Sequence, residues 1–213
     1  MSEQRQRPKQ KGYAVVFDYD GTLIDSRQVK VRNYRDAIIG IFSPPEGRSR
    51  DIDESCLRNM GANRFVQLED TLRVLGMEAS EEQRENWSRL YSALNRKTLP
   101  SVAEFPSVRK LLRGLEEAGY SLFAASGILE EEFIHELAKR GLSRYFIEAK
   151  GGDKEAFLSS LKDRGFHTIL FVGDTSYDRR TAEQAGVSFF HIETEEDVRR
   201  LESHLLPRRR QRR

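Results

Sequence analysis

The sequence is poor in the features that stabilise secreted and membrane proteins. It has a single cysteine, Cys56, so the chain can close no disulfide within itself and offers no second thiol for a cysteine-based zinc site. No apolar run approaches the roughly 18 residues that cross a bilayer, and residues 1–11 are polar and basic where a signal peptide is apolar. We therefore expect a soluble, cytoplasmic protein without a membrane partner, in which Cys56 is a packing residue.

An excess of charge of one sign is also lacking overall, but the two ends differ from the rest. The formal net charge is +2, and residues 1–11 and 207–213 contribute +3 and +5, which leaves −6 for the body of the chain. A negative body does not suit a nucleic-acid surface, although the basic ends can make weak, non-specific, salt-sensitive contacts with phosphate backbones. We expect both ends to be disordered tails.

Short apolar runs alternate with segments of helical spacing over much of the chain. The runs are too short for stable helices and too apolar for surface strands, and they predict buried parallel strands at 13–17, 121–125, 145–147, 168–172 and 187–192. Helical spacing appears at 108–115, 133–137 and 157–161. The alternation predicts an α/β fold, with a Rossmann-like three-layer core around a central parallel sheet.

One long stretch, residues 26–104, breaks this alternation. It has helical periodicity at 29–42, 57–75 and 81–99, with a loop marked by Pro44, Pro45 and Gly47. A chain of 213 residues suits one core with an insertion better than two independent domains. The prediction is an all-helical insertion in a core formed by residues 12–25 and 105–206.

Acidic residues follow the first predicted strand. Ligands of open parallel sheets bind at the carboxyl ends of the strands, and Asp18 and Asp20 lie at that position, followed by Gly21. Two carboxylates this close repel each other unless they share a proton or a cation, and a hard divalent ion such as Mg²⁺ takes oxygen ligands. An acidic turn that caps the next helix is an equally good interpretation of this pair alone.

Two further strand ends carry groups that can bind phosphate. Ser126 and Gly127 follow the second strand with a hydroxyl and backbone amides, although Ser-Gly also forms simple turns. Lys154 comes after Gly151 and Gly152 at the start of a predicted helix, where it can act as a point charge. Lys150 is the rival candidate if that helix begins earlier.

The fourth predicted strand is followed by Asp174, with Asp178 one helical turn further on. A carboxylate directly after a fully apolar strand needs a partner, because an unpaired buried charge is costly. A metal ion supplies such a partner, and capping of the next helix is the alternative.

Taken in order, these motifs resemble the four-motif signature of the haloacid-dehalogenase-like (HAD) superfamily. The matching elements are Asp18-Tyr19-Asp20-Gly21-Thr22-Leu23, Ser126, Lys154 and residues 173–178. The helical insertion after the first motif resembles the family's cap, which closes over the site and selects the substrate. Asp25-Ser26 and the return at residues 105–108 resemble the phosphoglycolate-phosphatase-like branch.

The resemblance implies a magnesium-dependent phosphohydrolase that acts on a small phosphorylated metabolite. Asp18 would be the nucleophile that forms an aspartyl-phosphate, and Asp20 the general acid and base. The transferring phosphoryl group would be held by Ser126, Gly127 and Lys154.

The resemblance also implies a set of Mg²⁺ ligands: Asp18, Asp174 and Asp20, the last through its backbone carbonyl. Asp178 is either a supporting ligand or an outer hydrogen-bond acceptor. Dehalogenation is disfavoured, because dehalogenase members lack an aspartate two residues after the nucleophile.

Two other functions remain open at this point. One is a phosphoryl mutase on the same fold, and the other is a non-catalytic protein that senses phosphate or acts through its basic ends. Arg32, Asn63 and Arg64 of the insertion could contact a substrate, but helix-surface arginines usually face solvent, so they stay outside the predicted site. The motifs specify neither the substrate nor the oligomeric state.

Overall fold

The computed structural model describes residues 12–206, which form two compact units. One unit combines the described residues up to Leu23 with those from Glu104 onward, and the other is Ile24–Ala103. The expected tails, 1–11 and 207–213, lie outside the described residues. No helix within residues 12–206 has the length and apolarity to cross a membrane.

The helices follow one another along the described chain and are numbered in that order. They are α1 (Arg27–Phe42), α2 (Ser49–Arg58), α3 (Arg64–Leu75), α4 (Glu81–Thr98), α5 (Val108–Ala118), α6 (Glu130–Lys139), α7 (Lys154–Asp163), α8 (Ser176–Gln184) and α9 (Glu195–Leu205). Short 3₁₀ helices lie at Leu99–Ser101 and Ser143–Tyr145.

The first unit contains a five-stranded parallel sheet. The strands are β1 (Tyr13–Phe17), β2 (Ser121–Ser126), β3 (Glu148–Gly151), β4 (Thr168–Gly173) and β5 (Ser188–His191), and their order in the sheet is β3-β2-β1-β4-β5. The first strand, β1, therefore lies in the middle of the sheet, and the later strands are added outward on both sides of it, which confirms the predicted α/β class.

Helices cover the sheet on both faces. Val16, Phe123 and Phe171 pack with apolar residues of α7 and α8 in one buried cluster. Neighbouring strand residues point to opposite faces, and Val15 and Leu122, which point away from that cluster, are buried as well. The sheet is consequently the middle of three layers.

The predicted strand at 145–147 is wrong. Tyr145 ends a 3₁₀ helix, Ile147 is largely exposed, and the strand begins only at Glu148. β3 is an edge strand with β2 as its neighbour, so its sequence Glu-Ala-Lys-Gly need not be apolar. An edge strand of this kind lacks the continuous apolar run that identifies a buried strand in a sequence.

The second unit is built from α1–α4 around an aromatic centre. Tyr34, Trp87 and Tyr91 are buried together, and the Trp87 and Tyr91 rings stack with centroids 5.5 Å apart. Cys56 packs in the same cluster, where burial raises the pKa of its thiol to about 12.

The single helical segment predicted at 57–75 is wrong, because the structure has two helices there. α2 already begins at Ser49 and ends at Arg58, and α3 begins at Arg64. The turn between them contains Gly61 with a φ of +91°, and the side chain of Asn63 caps α3 by accepting from the Phe65 N–H.

Candidate active site

Three buried carboxylates meet at the carboxyl edge of the sheet. Asp18 follows β1 and Asp174 follows β4, and these adjacent parallel strands pair with Phe17 opposite Val172. Asp178 lies in the first turn of α8. Asp18, Asp174 and Asp178 each offer an oxygen, and the three oxygens lie within 4.8 Å of one another. The strand register thus brings together acids that are far apart in sequence.

Lys154 joins this cluster as its cation. It is the first residue of α7, only 3% exposed, and its Nζ lies 2.7 Å from Asp18 Oδ1 and 2.7 Å from Asp178 Oδ1. Burial opposes its charge, but Asp178 and Asp18 outweigh burial and raise the pKa of Lys154 above its ordinary value. Lys150 lies on β3 instead and pairs with Glu130 near the surface.

Two glycines make room for the carboxylates. Gly21 has a φ of +77°, and a Cβ added there would lie 2.2 Å from Asp174 Oδ2. A Cβ on Gly173 would lie 2.7 Å from the Cβ of Asp178. Any side chain at either position would push an acid out of the cluster, so both glycines are required by the packing of the site itself.

Ser126 is the last residue of β2 and reaches the same sheet edge. Ala124 is opposite Phe17 in the register, which places Ser126 slightly beyond Asp18 along the neighbouring strand. Its hydroxyl accepts a hydrogen bond from the Ile128 N–H, and its carbonyl accepts one from the Gly152 N–H. The end of β2 at Ser126 is therefore hydrogen-bonded to the segment that leads into Lys154.

The same arrangement is found in a known family. The family model described as haloacid dehalogenase-like hydrolase matches residues 15–192. The chain belongs to this family. Its predicted membership of the HAD superfamily is confirmed.

Several curated relatives of this chain are named phosphatases. The phosphoglycolate phosphatase of Synechococcus elongatus is 28% identical over 184 residues, covering 82% of this chain and 80% of the relative. The phosphoglycolate phosphatase of Mesorhizobium japonicum is 24% identical, covering 88% and 87%. Because several relatives that span most of the chain are phosphatases, this HAD protein is a phosphatase-type enzyme.

A solved structure shares the fold. The crystal structure of a hydrolase from Pseudomonas syringae is similar with a TM-score of 0.71 at 18% identity, covering 88% of this chain and 90% of that one. At this identity the likeness concerns the fold, which is the Rossmann-like HAD core with helical additions.

The donor set fits a divalent cation. Three buried carboxylates and one ammonium give these four groups a formal charge of −2 when all are ionised. Burial raises the pKa of Asp18 well above its ordinary value; Lys154 opposes this shift, and Asp178 and Asp174 reinforce it. A cation beside Asp18 would reverse that shift, and carboxylate oxygens are the ligands that Mg²⁺ prefers.

The carboxylate of Asp20 is not part of the acidic cluster found within residues 12–206. Asp20 is half-buried in the turn after β1, where the Leu23 N–H bonds to the carbonyl of Tyr19. The resemblance to the HAD superfamily implies a metal contact through the backbone carbonyl of Asp20, and that role stays a prediction.

Arg64 is a buried residue that the sequence reasoning treated as solvent-facing. It is 3% exposed and donates to Ser92 Oγ at 2.6 Å and to Ser88 Oγ at 3.2 Å. Ser88 and Ser92 are four positions apart on α4 and share one face of that helix, so their spacing could have indicated a buried polar partner. Arg32 is exposed, as expected for a helix-surface arginine.

Proposed function

We propose that this HAD phosphatase hydrolyses a small phosphate monoester in two steps, with Asp18 as the nucleophile and Mg²⁺ as the cofactor. One observation carries the proposal. The Asp18 carboxylate is buried at the end of β1 with the Lys154 ammonium 2.7 Å from one of its oxygens, beside Asp174 and Asp178. This is an anionic nucleophile next to a fixed positive charge, as phosphoryl transfer requires.

In the first step, an Asp18 oxygen attacks phosphorus and the alkoxide leaves on the opposite side. Lys154 and the Ser126 hydroxyl neutralise charge that spreads over the phosphoryl oxygens. Asp20 gives its proton to the leaving oxygen. The products of this step are the free alcohol and a phosphorylated Asp18.

In the second step, Asp20 removes a proton from a water molecule that attacks the same phosphorus. Inorganic phosphate leaves, and the Asp18 carboxylate is restored. One residue thus serves as acid and then as base, which suits its half-buried position in the turn after β1. Splitting one displacement into two lets the same charges stabilise both transition states.

Asp18, Asp174 and the Asp20 carbonyl would hold Mg²⁺. The ion supplies charge that reduces the repulsion between the Asp18 carboxylate and the incoming phosphate dianion. Asp174 fits this role because it packs directly against Gly21 of the nucleophile turn.

The relatives named phosphoglycolate phosphatase support a small anionic metabolite as the substrate. In this proposal residues 12–25 and 105–206 are the catalytic core, and the helical stretch 26–104 takes the role of the family's cap. The compact units separate at Leu23 and Ala103, close to these boundaries. 2-Phosphoglycolate is the first compound to test.

The test is phosphate release from a panel of phosphate monoesters, with Mg²⁺ and with excess chelator. We expect release from one or more panel members with Mg²⁺ only, and loss of about 10³-fold or more in Asp18→Asn. Asp36→Asn, at an exposed position on α1, is the matched control and should keep wild-type activity.

Three results would contradict the proposal. They are the absence of phosphate release across the panel, full activity of Asp18→Asn, and activity that persists in chelator. Conversion of a sugar phosphate into its isomer with little free phosphate would instead favour a mutase.

A further inference from the structure

Both carboxylate oxygens of Asp178 are engaged by donors of the protein itself. Oδ1 accepts from Lys154 Nζ at 2.7 Å. Oδ2 accepts from the Thr175 N–H at 3.1 Å and from the Thr175 hydroxyl at 2.5 Å. Asp178 is fully buried, so these bonds fix the plane of its carboxylate.

Thr175 uses its hydroxyl in two directions. It is the N-cap of α8, and its Oγ1 accepts from the Asp178 N–H at 3.0 Å while the same hydroxyl donates to Asp178 Oδ2. A hydroxyl can do both, since it has one proton and two lone pairs. These two hydrogen bonds fix both the backbone and the side chain of Asp178, and they leave its Oδ1 facing Lys154.

The same capping box occurs at α9, where it has no link to the acidic cluster. The Thr194 hydroxyl donates to Asp197 Oδ2 at 2.8 Å, and Thr194 Oγ1 accepts from the Asp197 N–H at 3.3 Å. The other oxygen of Asp197 faces Arg200, which is exposed. The capping box of α9 is therefore explained by helix capping alone. In the capping box of α8, Asp178 also accepts a hydrogen bond from Lys154.

We propose that Thr175 is a positioning residue of this phosphatase, whose hydroxyl orients Asp178 so that Asp178 holds Lys154 at the nucleophile Asp18. The inference rests on the proposed roles of Asp18 and Lys154. The sequence left two roles open for Asp178, a supporting metal ligand and an outer hydrogen-bond acceptor. In the present proposal it has the role of outer acceptor. Thr175 itself contacts none of the reacting atoms.

Loss of the Thr175 hydroxyl would leave Asp178 Oδ2 with one donor in place of two. A buried carboxylate with too few donors turns or draws in water, and Lys154 moves with it. Displacement of a charged group by about 1 Å can reduce a rate by about 10²-fold. The effect should appear in kcat more than in KM, because the Lys154 ammonium neutralises the negative charge that develops on the phosphoryl group during its transfer.

The activity test compares Thr175→Val with Thr175→Ser and with Thr194→Val, on a substrate found in the panel. We expect Thr175→Val to lower kcat by about 10- to 100-fold with little change in KM. Thr175→Ser should keep kcat within about twofold, since serine restores the hydroxyl. Thr194→Val loses an equivalent cap and should keep kcat within about twofold.

Each variant is first checked for folding by circular dichroism, and Thr175→Ala replaces Thr175→Val if valine is not tolerated. Wild-type kcat in the folded valine or alanine variant would overturn the inference. An equal loss in Thr194→Val or in Thr175→Ser would do the same, because the effect would then be general destabilisation or crowding.

A second measurement does not depend on turnover. The ¹⁵N signal of the Lys154 ammonium, assigned by its disappearance in Lys154→Met, reports whether the group is held by its two carboxylates. We expect Thr175→Val to abolish this slowly exchanging signal and Thr194→Val to keep it. If the wild-type protein releases no phosphate, the proposed function fails, but this experiment still decides the inference: an unchanged signal in Thr175→Val overturns it.

Discussion

The two compact units each contain a carboxylate network, and the networks differ in their balance of charge. In the α/β unit, Asp18, Asp174 and Asp178 lie within 4.8 Å of one another, and Lys154 forms ion pairs with two of them. Negative charge exceeds positive charge among these four groups. A network of this kind gains stability when a cation or the transition state of phosphoryl transfer brings the complementary charge.

In the network of the helical unit, positive charge exceeds negative charge. Asp70 on α3 is the acceptor for four side chains, namely Arg58, Arg73, Asn59 and Ser55. Burial opposes ionisation of Asp70, but hydrogen bonds from these donors outweigh burial and lower its pKa below the ordinary value. The Asp70 carboxylate receives four side-chain donors, about as many as its two oxygens can accept, so it stabilises the fold without a further cation.

The pKa shifts of Asp18 and Asp70 therefore have opposite signs for a physical reason. Burial dominates at Asp18 and raises its pKa, whereas donors dominate at Asp70 and lower its pKa. In the proposed mechanism Asp18 is the nucleophile, and such a group keeps charge that the protein alone does not balance, at the expense of stability. A group arranged for folding is satisfied by the protein alone.

The largest effect should come from removing the cation of the α/β network. Lys154→Met should lower kcat by about 10²–10³-fold, because the transferring phosphoryl group loses a fixed positive charge. Arg58→Met, which removes a cation from the Asp70 network, should leave kcat unchanged. Steady-state kinetics of both variants is the measurement. If Arg58→Met lost activity as severely as Lys154→Met, the proposed difference between the two networks would be wrong.

Magnesium should stabilise the protein through one network only. At a concentration of about 100 times its dissociation constant, Mg²⁺ should add about 2.7 kcal/mol to the free energy of unfolding. Asp174→Asn should remove this increment, and Asp70→Asn should keep it. Thermal unfolding with Mg²⁺ and with chelator measures the difference; an undiminished increment in Asp174→Asn would place the cation elsewhere.

Asp70→Ala should have a smaller effect, on stability and not on catalysis. Loss of the charged acceptor leaves its donors without their common partner and should lower the free energy of unfolding by about 2 kcal/mol. Activity per folded molecule should stay at the wild-type level. Asp36→Ala, at an exposed position, is the control, and urea unfolding is the measurement. A matching loss of kcat in Asp70→Ala would show that the two networks are coupled.

The α/β network was largely predictable, because two of its three acids, Asp18 and Asp174, directly follow strongly apolar strands. β1 and β4 are buried parallel neighbours, so Asp18 and Asp174 had to meet at one sheet edge. The choice between Lys150 and Lys154 depended on where α7 begins. Asp153 decides it, since its side chain accepts from the Ala156 N–H and caps the helix directly before Lys154.

Other features depend on tertiary contacts that no short pattern contains. β3 is polar because it is an edge strand, and the burial of Arg64 depends on hydroxyls of α4 that lie more than 20 positions away. The Thr-x-x-Asp pattern at Thr175 predicts a capping box from sequence. Its contact with Lys154 becomes visible only once α7 and α8 have packed.

The smallest predicted effect is a pH dependence that belongs to Asp70. Its pKa is lowered in the folded protein, so below the ordinary value of about 3.9 the unfolded chain binds a proton that the folded protein does not. The stability that ionised Asp70 contributes is complete above about pH 5 and declines as the pH falls through 4 toward its folded pKa. The difference between the wild-type protein and Asp70→Asn in urea unfolding should therefore narrow by about 1 kcal/mol between pH 6 and pH 3. A difference that stays constant over this range would mean that Asp70 gains nothing from its charge, and its contrast with the carboxylates of the α/β unit would then be one of geometry alone.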